Sequence, residues 1–276
     1  MTARPDFGST ADGGAYTGFG KLYWDAAKSR LAEPTVYTDA NGNTNGLGVS
    51  TWSRGDAAFT PHHVANTTFV GFFPVLALDA ANTIYLVWTP DTRQAGTSGG
   101  CSGAPTPAPN SVMLTYSKDW AKTWSKPVAI YKSTNSRSFW PWLVGGDAGK
   151  ISVVWYQTEP GELADLDCQP AHVHAYEETI LNATAAKPTG QAVDAAGRVI
   201  HDGPVCQGGT TCVVTGKDRR LGDYFTNALD ARGCVVIATG DTMLIDPLTG
   251  AQLPTSRPLF VHQIAGPALR GKASCS

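Results

Sequence analysis

The chain has 276 residues, of which 42% are hydrophobic and 16% charged, so it is long enough to bury a sizeable core and too apolar to be disordered. Its 21 Lys and Arg against 23 Asp and Glu give a net charge of -2 without a basic run, so we expect no nucleic-acid partner. No apolar stretch reaches the about 18 residues of a membrane span, and the first residues lack the apolar core of a signal peptide, so we expect neither feature in this chain.

The composition also predicts the class of secondary structure. The charged fraction lies below the about 25% of an average domain, while 30 Gly, 18 Pro and 8 Trp are typical of turns and short strands. We therefore predict an all-β protein.

Three segments repeat a strand–turn–strand pattern along the chain, at residues 73–88, 140–155 and 224–238. Between two apolar runs, the first copy has an Asp-x-x-Asn turn, the third an Asp-x-x-Gly turn and the second an Asp-Ala-Gly turn, and Gly and Asn tolerate the positive φ that such turns require. Each copy therefore predicts a β-hairpin.

Residues 20–25 resemble the end of the second strand of an earlier copy. The alignment makes four positions equivalent, namely Trp24, Trp88, Trp155 and Ala238. A second strand pair follows each hairpin, at 46–51 with 59–64, 111–117 with 123–130, 171–177 with 190–193, and near the end at 258–264. Repeated four-stranded antiparallel units predict a β-propeller with about four visible blades. A β-sandwich of about 14 strands is the alternative.

The six cysteines show no C-x-x-C spacing, so a zinc site built on them is poorly supported. Cys206 and Cys212 bracket a short Gly-containing loop that would bring their Cα atoms within the about 4.4 to 6.8 Å of a disulfide, so we predict this bond. Cys101 and Cys168 lie in long polar loops and form a second candidate pair. The pairing of four cysteines stays open: Cys101, Cys168, Cys234 and Cys275. Disulfides would indicate a secreted or extracytoplasmic protein, and Met1 would then mark a truncation.

Residues 117–124 match four of the five defining positions of a named motif, Ser-x-Asp-x-Gly-x-Thr-Trp, with Ala121 in place of Gly. The matching residues are Ser117, Asp119, Thr123 and Trp124. The segment resembles the Asp box of sialidases and related BNR-repeat proteins. Physically, the Asp119 carboxylate and the two hydroxyls can bond turn amides while Trp124 packs between sheets, so we expect a structural role for these residues.

The resemblance covers roughly residues 20–266 and implies a sialidase-like propeller domain over that range. We expect residues 1–19 to form an N-terminal segment or truncated blade, and residues 267–276 to form a C-terminal tail. A sialidase would carry an arginine triad, a Tyr nucleophile paired with a Glu, and an Asp acid/base. Its Phe/Tyr-Arg-Ile-Pro motif does not occur here. One explanation is that the motif lay in a missing N-terminal part. Sialidases resemble six-bladed propellers, and only about four blades are visible here, which agrees with that explanation. The alternative is that the chain is a non-sialidase member of the superfamily.

Propeller topology predicts where a site would lie, because segments before inner strands and after second strands converge over the central channel. The candidate ligand-binding residues in these segments are Arg93, Arg137, Arg219, Arg220, Tyr224 and Asp241. The candidate catalytic residues are Asp223, Tyr156 and Glu159. Guanidinium groups and paired acids suit an anionic or hydroxyl-rich ligand. The alternatives are an Arg–Asp network joining two blades at 218–224 and an ordinary surface loop at 156–159.

We expect no cofactor, although a structural calcium stays open. Glu162, Asp165 and Asp167 offer oxygen ligands, with a solvated acidic loop as the default interpretation. His172 and His174 alternate on one predicted strand and share a face, so a two-His metal site is the alternative to a polar strand face.

The sequence thus favours a secreted, sialidase-like BNR-repeat propeller that recognises a glycan or another extracellular ligand. Whether it is an exo-glycosidase of the exo-alpha-sialidase type stays open. The alternative is a non-catalytic propeller that serves as a protein-interaction or structural module, and fold analogy alone does not choose between them.

Overall fold

The computed structural model describes residues 7–11, 13–18, 20–67, 74–90, 110–163, 169–206, 212, 214, 216, 218–221 and 225–276. Seventeen strands lie in these ranges and form four antiparallel sheets. Each sheet is built from consecutive strands of the chain, as in the blades of a propeller. The prediction of an all-β propeller with about four blades is confirmed.

The first two sheets are built from nine strands. Sheet one comprises β1 (Ala15–Gly18), β2 (Tyr23–Asp25), β3 (Arg30–Thr38), β4 (Thr44–Ser53) and β5 (Thr60–Asn66). Sheet two comprises β6 (Val75–Leu78), β7 (Ile84–Trp88), β8 (Ser111–Ser117) and β9 (Val128–Lys132). In sheet one, β1 and β2 both pair with β3 and together occupy the place of one strand.

The last two sheets differ in size. Sheet three comprises β10 (Ser138–Gly145), β11 (Ile151–Thr158), β12 (Ala171–Ile180), β13 (Ala192–Asp194) and β14 (His201–Gly203). Sheet four comprises β15 (Thr226–Leu229), β16 (Val235–Asp241) and β17 (Arg257–His262). Within the described ranges, sheet four therefore has one strand fewer than the four of sheet two.

All three repeated segments form the predicted antiparallel hairpins, β6–β7, β10–β11 and β15–β16. The first and third turns share one local structure, in which an Asp carboxylate accepts the backbone N–H groups two and four residues later. The Asp79 carboxylate accepts the backbone N–H groups of Ala81 and Thr83, both at 2.9 Å. Asn82, Gly149 and Gly233 occupy the matching turn position with φ of 60°, 79° and 83°, which explains the Asn or Gly found there.

The first copy is aligned differently from our prediction. Trp24 lies on β2, which pairs with β3 as part of the first strand position, whereas Trp88 and Trp155 lie on second strands. Trp24 is 52% exposed, whereas Trp155 is fully buried. The second strand of this sheet is β3, which lacks the tryptophan of the repeat, so the equivalence of Trp24 was wrong.

The core lies between neighbouring sheets. All eight residues of β11 are buried, so both of its faces are covered. Because side chains alternate along a strand, Trp155 packs in the layer between sheets two and three, and Tyr156 packs between sheets three and four. Several strand pairs join sheet two to sheet three and sheet three to sheet four, whereas sheet one contacts sheet two mainly through β3 and β6. Within the described ranges, no strand pair of that extent joins sheet four to sheet one.

The turn after β8 is closed by side chains. Asp119 accepts the backbone N–H of Thr123 at 2.9 Å and its hydroxyl at 2.6 Å, and Ser117 accepts the N–H of Ala121 at 2.9 Å. Ala121 adopts φ of 69°, the conformation that favours glycine. Because Thr123 belongs to this turn, the following strand begins at Val128 and not at Thr123 as predicted.

We expect Asp119→Ala to lower the melting temperature by a few degrees at neutral pH, because Thr123 then loses both bonds. Those bonds lower the pKa of Asp119 to about 2. Since the unfolded value is about 4, the stabilisation is present above about pH 4 and disappears as the pH falls toward about 2. The difference from wild type, measured by thermal unfolding, should shrink over that range. Lys122→Ala, at an exposed position of the same turn, is the control; a pH-independent loss would contradict the explanation.

Two disulfide bonds lie in the described part of the chain. The predicted bond between Cys206 and Cys212 is confirmed, with Cα atoms 6.0 Å apart. A second joins Cys234 to Cys275, with Cα atoms 5.8 Å apart. The candidate pair of Cys101 and Cys168 lies outside the described residues. No helix in the described ranges is long and apolar enough to cross a membrane.

The last residues pack against sheets three and four. Leu269 is fully buried in the core cluster of these sheets, its N–H donates to Gly233 and its carbonyl accepts from Asp147, both at 2.8 Å. The Gly271 N–H donates to the Asp147 carboxylate at 2.8 Å. Together with the bond to Cys275, these contacts fix residues 267–276 in place.

Candidate functional site

The structure describes six of the nine residues that we selected as catalytic or ligand-binding. Arg93, Asp223 and Tyr224 lie outside the described residues. The other six do not form one constellation. They lie in four environments: a packed polar layer beside β10, the core between sheets three and four, a cluster of carboxylates and imidazoles after β11, and the end of sheet four where β16 finishes.

Arg137 lies in the packed polar layer and its side chain is only 2% exposed. Beside it, the backbone N–H of Ser138 donates to Asn110 at 2.7 Å, and the Ser138 hydroxyl donates to Gln157 at 2.6 Å. Gln157 also accepts the indole N–H of Trp155 at 3.1 Å. The Arg137 backbone N–H donates to the Thr158 hydroxyl at 2.9 Å, so the structure places Arg137 inside this buried polar layer and not on an exposed surface.

Tyr156 lies in the core and is fully buried. Its hydroxyl is 2.6 Å from that of Thr239, and its ring stacks on Phe225 with centroids 4.2 Å apart. Burial raises the pKa of the Tyr156 hydroxyl, which opposes the ionisation that a nucleophile needs. The predicted nucleophile therefore does not fit this position. Its predicted partner, Glu159, contacts His174 instead.

Glu159 belongs to a cluster of carboxylates and imidazoles after β11. The members are Glu159, Glu162, His172, His174, Asp194 and Asp202. The hydrogen bond with Glu162 raises the pKa of His172. His172 and His174 share one face of β12, as predicted from their alternation.

Arg220 is held by its own loop. Its Nη2 donates to Asp218 at 2.6 Å, its Nε lies 3.1 Å from both Asp218 oxygens, and its Nη1 donates to the Leu253 carbonyl at 2.8 Å. The Arg–Asp interpretation therefore describes Arg220 better than direct ligand contact. A recess of about 490 Å³ lies here, lined by Gly216, Asp218, Arg219, Arg220, Gln252, Leu253 and Pro254.

Asp241, at the end of β16, is buried between two arginines. Arg198 Nη2 donates to it at 2.7 Å and Arg257 Nε at 3.3 Å, while the Met243 N–H donates at 3.0 Å. Burial alone would raise the pKa of Asp241, but the bonds from Arg198 and the Met243 amide bring it below its usual value. Our sequence reasoning missed both arginines because they lie 43 and 16 residues away and carry no local motif.

These charged groups lie at one end of sheet four. Gln252 donates to the carbonyl of Thr242 at 3.0 Å, which connects the lining of the recess to the residue after Asp241. We call the group Arg198, Arg219, Arg220, Arg257, Asp218 and Asp241 the arginine end. It follows the second strand of its sheet, where propeller topology predicted a site.

A larger groove of about 750 Å³ separates the outer strands of sheets three and four. Polar residues in its lining include Glu177, Thr179, Gln191, His262 and Gln263, and apolar ones include Val193 and Ile264. Burial raises the pKa of Glu177, whose carboxylate accepts from Ser152 at 2.7 Å. No sequence pattern predicted this groove, because its two walls come from strands far apart in the chain.

No protein-family model and no curated protein matches the sequence. Solved structures with a similar arrangement include an endo-arabinase from Bacteroides thetaiotaomicron, at 13% identity over 97% of this chain and 81% of that one, with a TM-score of 0.45. A PL25 ulvan lyase gives 16% identity over 88% and 54%, with a TM-score of 0.46. The NanB sialidase from Streptococcus pneumoniae gives 11% identity over 93% and 32%, with a TM-score of 0.45. The chain thus spans about half of the lyase and a third of the sialidase.

Proposed function

We propose that this protein is an extracytoplasmic propeller that binds an acidic glycan at the arginine end and does not hydrolyse it. The observation that carries the proposal is the sharing of one carboxylate, Asp241, by two guanidinium groups, Arg198 and Arg257. One negative charge between two positive charges leaves an excess positive charge at this end of the sheet. A ligand carboxylate or sulfate would compensate it.

Exposure indicates which arginine meets the ligand. The side chains of Arg198 and Arg257 are 42% and 62% exposed, whereas that of Asp241 is fully buried. Within the described ranges, Arg257 uses its Nε for Asp241 and no bond of its two Nη groups is seen. These groups form the planar fork that binds a carboxylate through two parallel bonds. Arg257 is therefore the proposed contact with the acidic group of the ligand.

The recess at the arginine end, which Gln252 connects to the residue after Asp241, supplies groups for sugar hydroxyls. Gln252 and Asp218 present amide and carboxylate atoms to it, and Leu253 and Pro254 add apolar surface. A pyranose ring offers the same mixture of hydroxyl groups and apolar C–H faces. The two disulfides support an oxidising compartment, where extracellular glycans are found.

Binding tests this proposal directly. Wild type should bind oligosaccharides that end in sialate or uronate better than their neutral counterparts, and more weakly as salt rises. Arg257→Ala should reduce affinity for the acidic ligands by at least about 10-fold, because the two parallel charge-assisted bonds are lost, and Arg257→Lys should not restore it. Arg232→Ala is the matched control, because Arg232 is 52% exposed and also paired with an aspartate, Asp230, but lies at the opposite end of the sheet. Equal binding of acidic and neutral glycans, or equal effects of both alanine variants, would contradict the proposal.

The exo-glycosidase hypothesis is tested in the same experiment. It paired Tyr156, which is buried, with Glu159, which contacts His174. We therefore expect no turnover of a chromogenic sialoside. Hydrolysis by wild type that Arg257→Ala reduces would show a catalytic site at the arginine end and would overturn the non-hydrolytic part of the proposal.

A further inference from the structure

A second site is indicated by the cluster after β11, on the face of sheet three that is directed toward sheet two. His172 and His174 lie on β12, Glu159 and Glu162 lie in the loop that precedes it, and Asp194 ends β13. This location is independent of the arginine end, which belongs to sheet four. The cluster combines imidazole nitrogens with carboxylate oxygens, the donors that bind divalent transition metals in proteins.

Three potential ligand atoms converge on one point. One atom each from Glu159, Glu162 and His172 lies within 4.8 Å of the other two. The His172 Nδ1 is 2.6 Å from Glu162 Oε1 and 3.8 Å from Glu159 Oε2. The ligand atoms of a tetrahedral zinc ion, each about 2.0 to 2.2 Å from the metal, lie about 3.3 to 3.6 Å apart. The separation of 3.8 Å between His172 and Glu159 is close to this range. His172 Nδ1 and Glu162 Oε1 must move apart by about 0.7 Å, because an ion between them would replace their hydrogen bond.

The groups behind these ligands hold them in place. Glu162 accepts the backbone N–H of His172 at 2.8 Å through its second oxygen, which leaves Oε1 directed at the imidazole. His174 Nε2 lies 3.3 Å from Glu159 Oε1, and its Nδ1 lies 2.8 Å from Asp194. A carboxylate–imidazole–carboxylate chain of this kind orients a metal ligand from the second shell of a site.

The charge of the cluster also favours a cation. Its ion pairs in the described part of the chain join four carboxylates to two imidazoles, without a lysine or arginine. Even with both imidazoles protonated, negative charge remains in excess. The His172 and Glu159 side chains are 45% and 43% exposed, so an ion could enter from solvent and keep water among its ligands.

We propose that Glu159, Glu162 and His172 bind one divalent transition-metal ion of the Zn²⁺ class, and that His174 with Asp194 positions Glu159. The imidazole nitrogen argues against Ca²⁺, which prefers oxygen ligands alone, and three protein ligands leave room for water or a ligand oxygen. The proposed ligand set differs from that of the calcium site considered for Glu162, Asp165 and Asp167. It contains the histidine His172 and neither of the two loop aspartates.

Calorimetry with ZnCl₂ on the full chain, treated beforehand with chelator, tests the site. We expect one ion per chain. Loss of a group that only orients a ligand weakens metal binding about 10- to 100-fold, and His174→Gln should stay within that range. His172→Ala and the isosteric Glu159→Gln remove ligands, so each should weaken Zn²⁺ binding by more than that. With Co²⁺ as the probe, His172→Ala should change the absorption spectrum because a nitrogen ligand is lost, whereas His174→Gln should leave its shape unchanged.

His262→Ala is the matched control. His262 forms a similar imidazole–carboxylate pair, 3.0 Å from Asp230, and among the residues that the structure describes no third ligand group joins it. It should leave the affinity for Zn²⁺ unchanged. The proposal is overturned if wild type binds no Zn²⁺, if His262→Ala weakens binding as much as His172→Ala, or if Ca²⁺ at equal concentration displaces Zn²⁺. Circular dichroism verifies folding, and if His172→Ala does not fold, the comparison of Glu159→Gln with His262→Ala decides.

Discussion

Gly145→Ala is expected to lower the melting temperature by roughly 5 to 10 °C, equivalent to about 2 to 4 kcal/mol for a chain of this size. Gly145 is the last residue of β10, where sheet three approaches sheet two. A Cβ there would lie inside van der Waals contact with the Leu78 carbonyl oxygen, 2.6 Å from its carbon and 2.9 Å from the Asp79 nitrogen. These are backbone atoms, so the two sheets would have to move apart.

Gly240→Ala is the control for this substitution. Gly240 also lies in a strand, β16, and neither glycine has a φ in the left-handed region. Its added Cβ would find its nearest neighbour, the Arg220 carbonyl oxygen, at 3.3 Å. Thermal unfolding followed by circular dichroism should show a much smaller change for Gly240→Ala. Similar losses for both variants would mean that close sheet packing at Gly145 is not the cause.

Removing the bond between Cys234 and Cys275 is the second change with a large expected effect. The double variant Cys234→Ser with Cys275→Ser should lose roughly 3 to 4 kcal/mol of stability, because the bond closes a loop whose ends are 41 residues apart. Cys234 begins the turn into β16, and Cys275 holds the segment that contains Leu269 in the core. The free energy of unfolding in urea measures the loss.

The bond between Cys206 and Cys212 gives the comparison. Its cysteines are only 6 residues apart, so the loop-closure entropy predicts a smaller loss, about 2 kcal/mol. A double serine variant at these positions should therefore unfold at a higher urea concentration than the variant that lacks Cys234 and Cys275. The reverse order would show that strain or native packing, and not loop length, governs the two contributions.

Local sequence patterns predicted the three hairpins correctly, but they failed in sheet one, where two short strands occupy the place of one. The Asp-x-x-Gly and Asp-x-x-Asn turns predict their own geometry, because Asp79 bonds amides two and four residues away and Asn82 adopts the positive φ. The same pattern-matching misplaced Trp24, because two short strands share the first strand position of sheet one. In the sequence, a tryptophan followed by a turn has the same pattern whether it lies on the first or on the second strand of a sheet.

The candidate sites also separate what local sequence patterns predict from what depends on the packing of the sheets. The sequence predicted that Asp241 follows the second strand of its sheet, because propeller topology follows from strand order, and Asp241 is the last residue of β16. It could not show that Tyr156 is buried against Phe225, or that Glu159 meets His174. A strand covered on both faces gives no periodic signal that distinguishes an inward from an outward side chain.

The sequence by itself determined the all-β class, the repeated hairpins and the bond between Cys206 and Cys212, because each depends on residues close together in the chain. Only the tertiary structure decided that Arg198 and Arg257 share Asp241, and that Cys234 pairs with Cys275. These partners are 16 to 43 residues apart in the chain. Each residue has many possible partners at such distances, and the packing of the sheets determines which of them it contacts. Ion pairs and disulfides between distant residues leave no periodic pattern in the sequence, so their partners can be identified only from the packed structure.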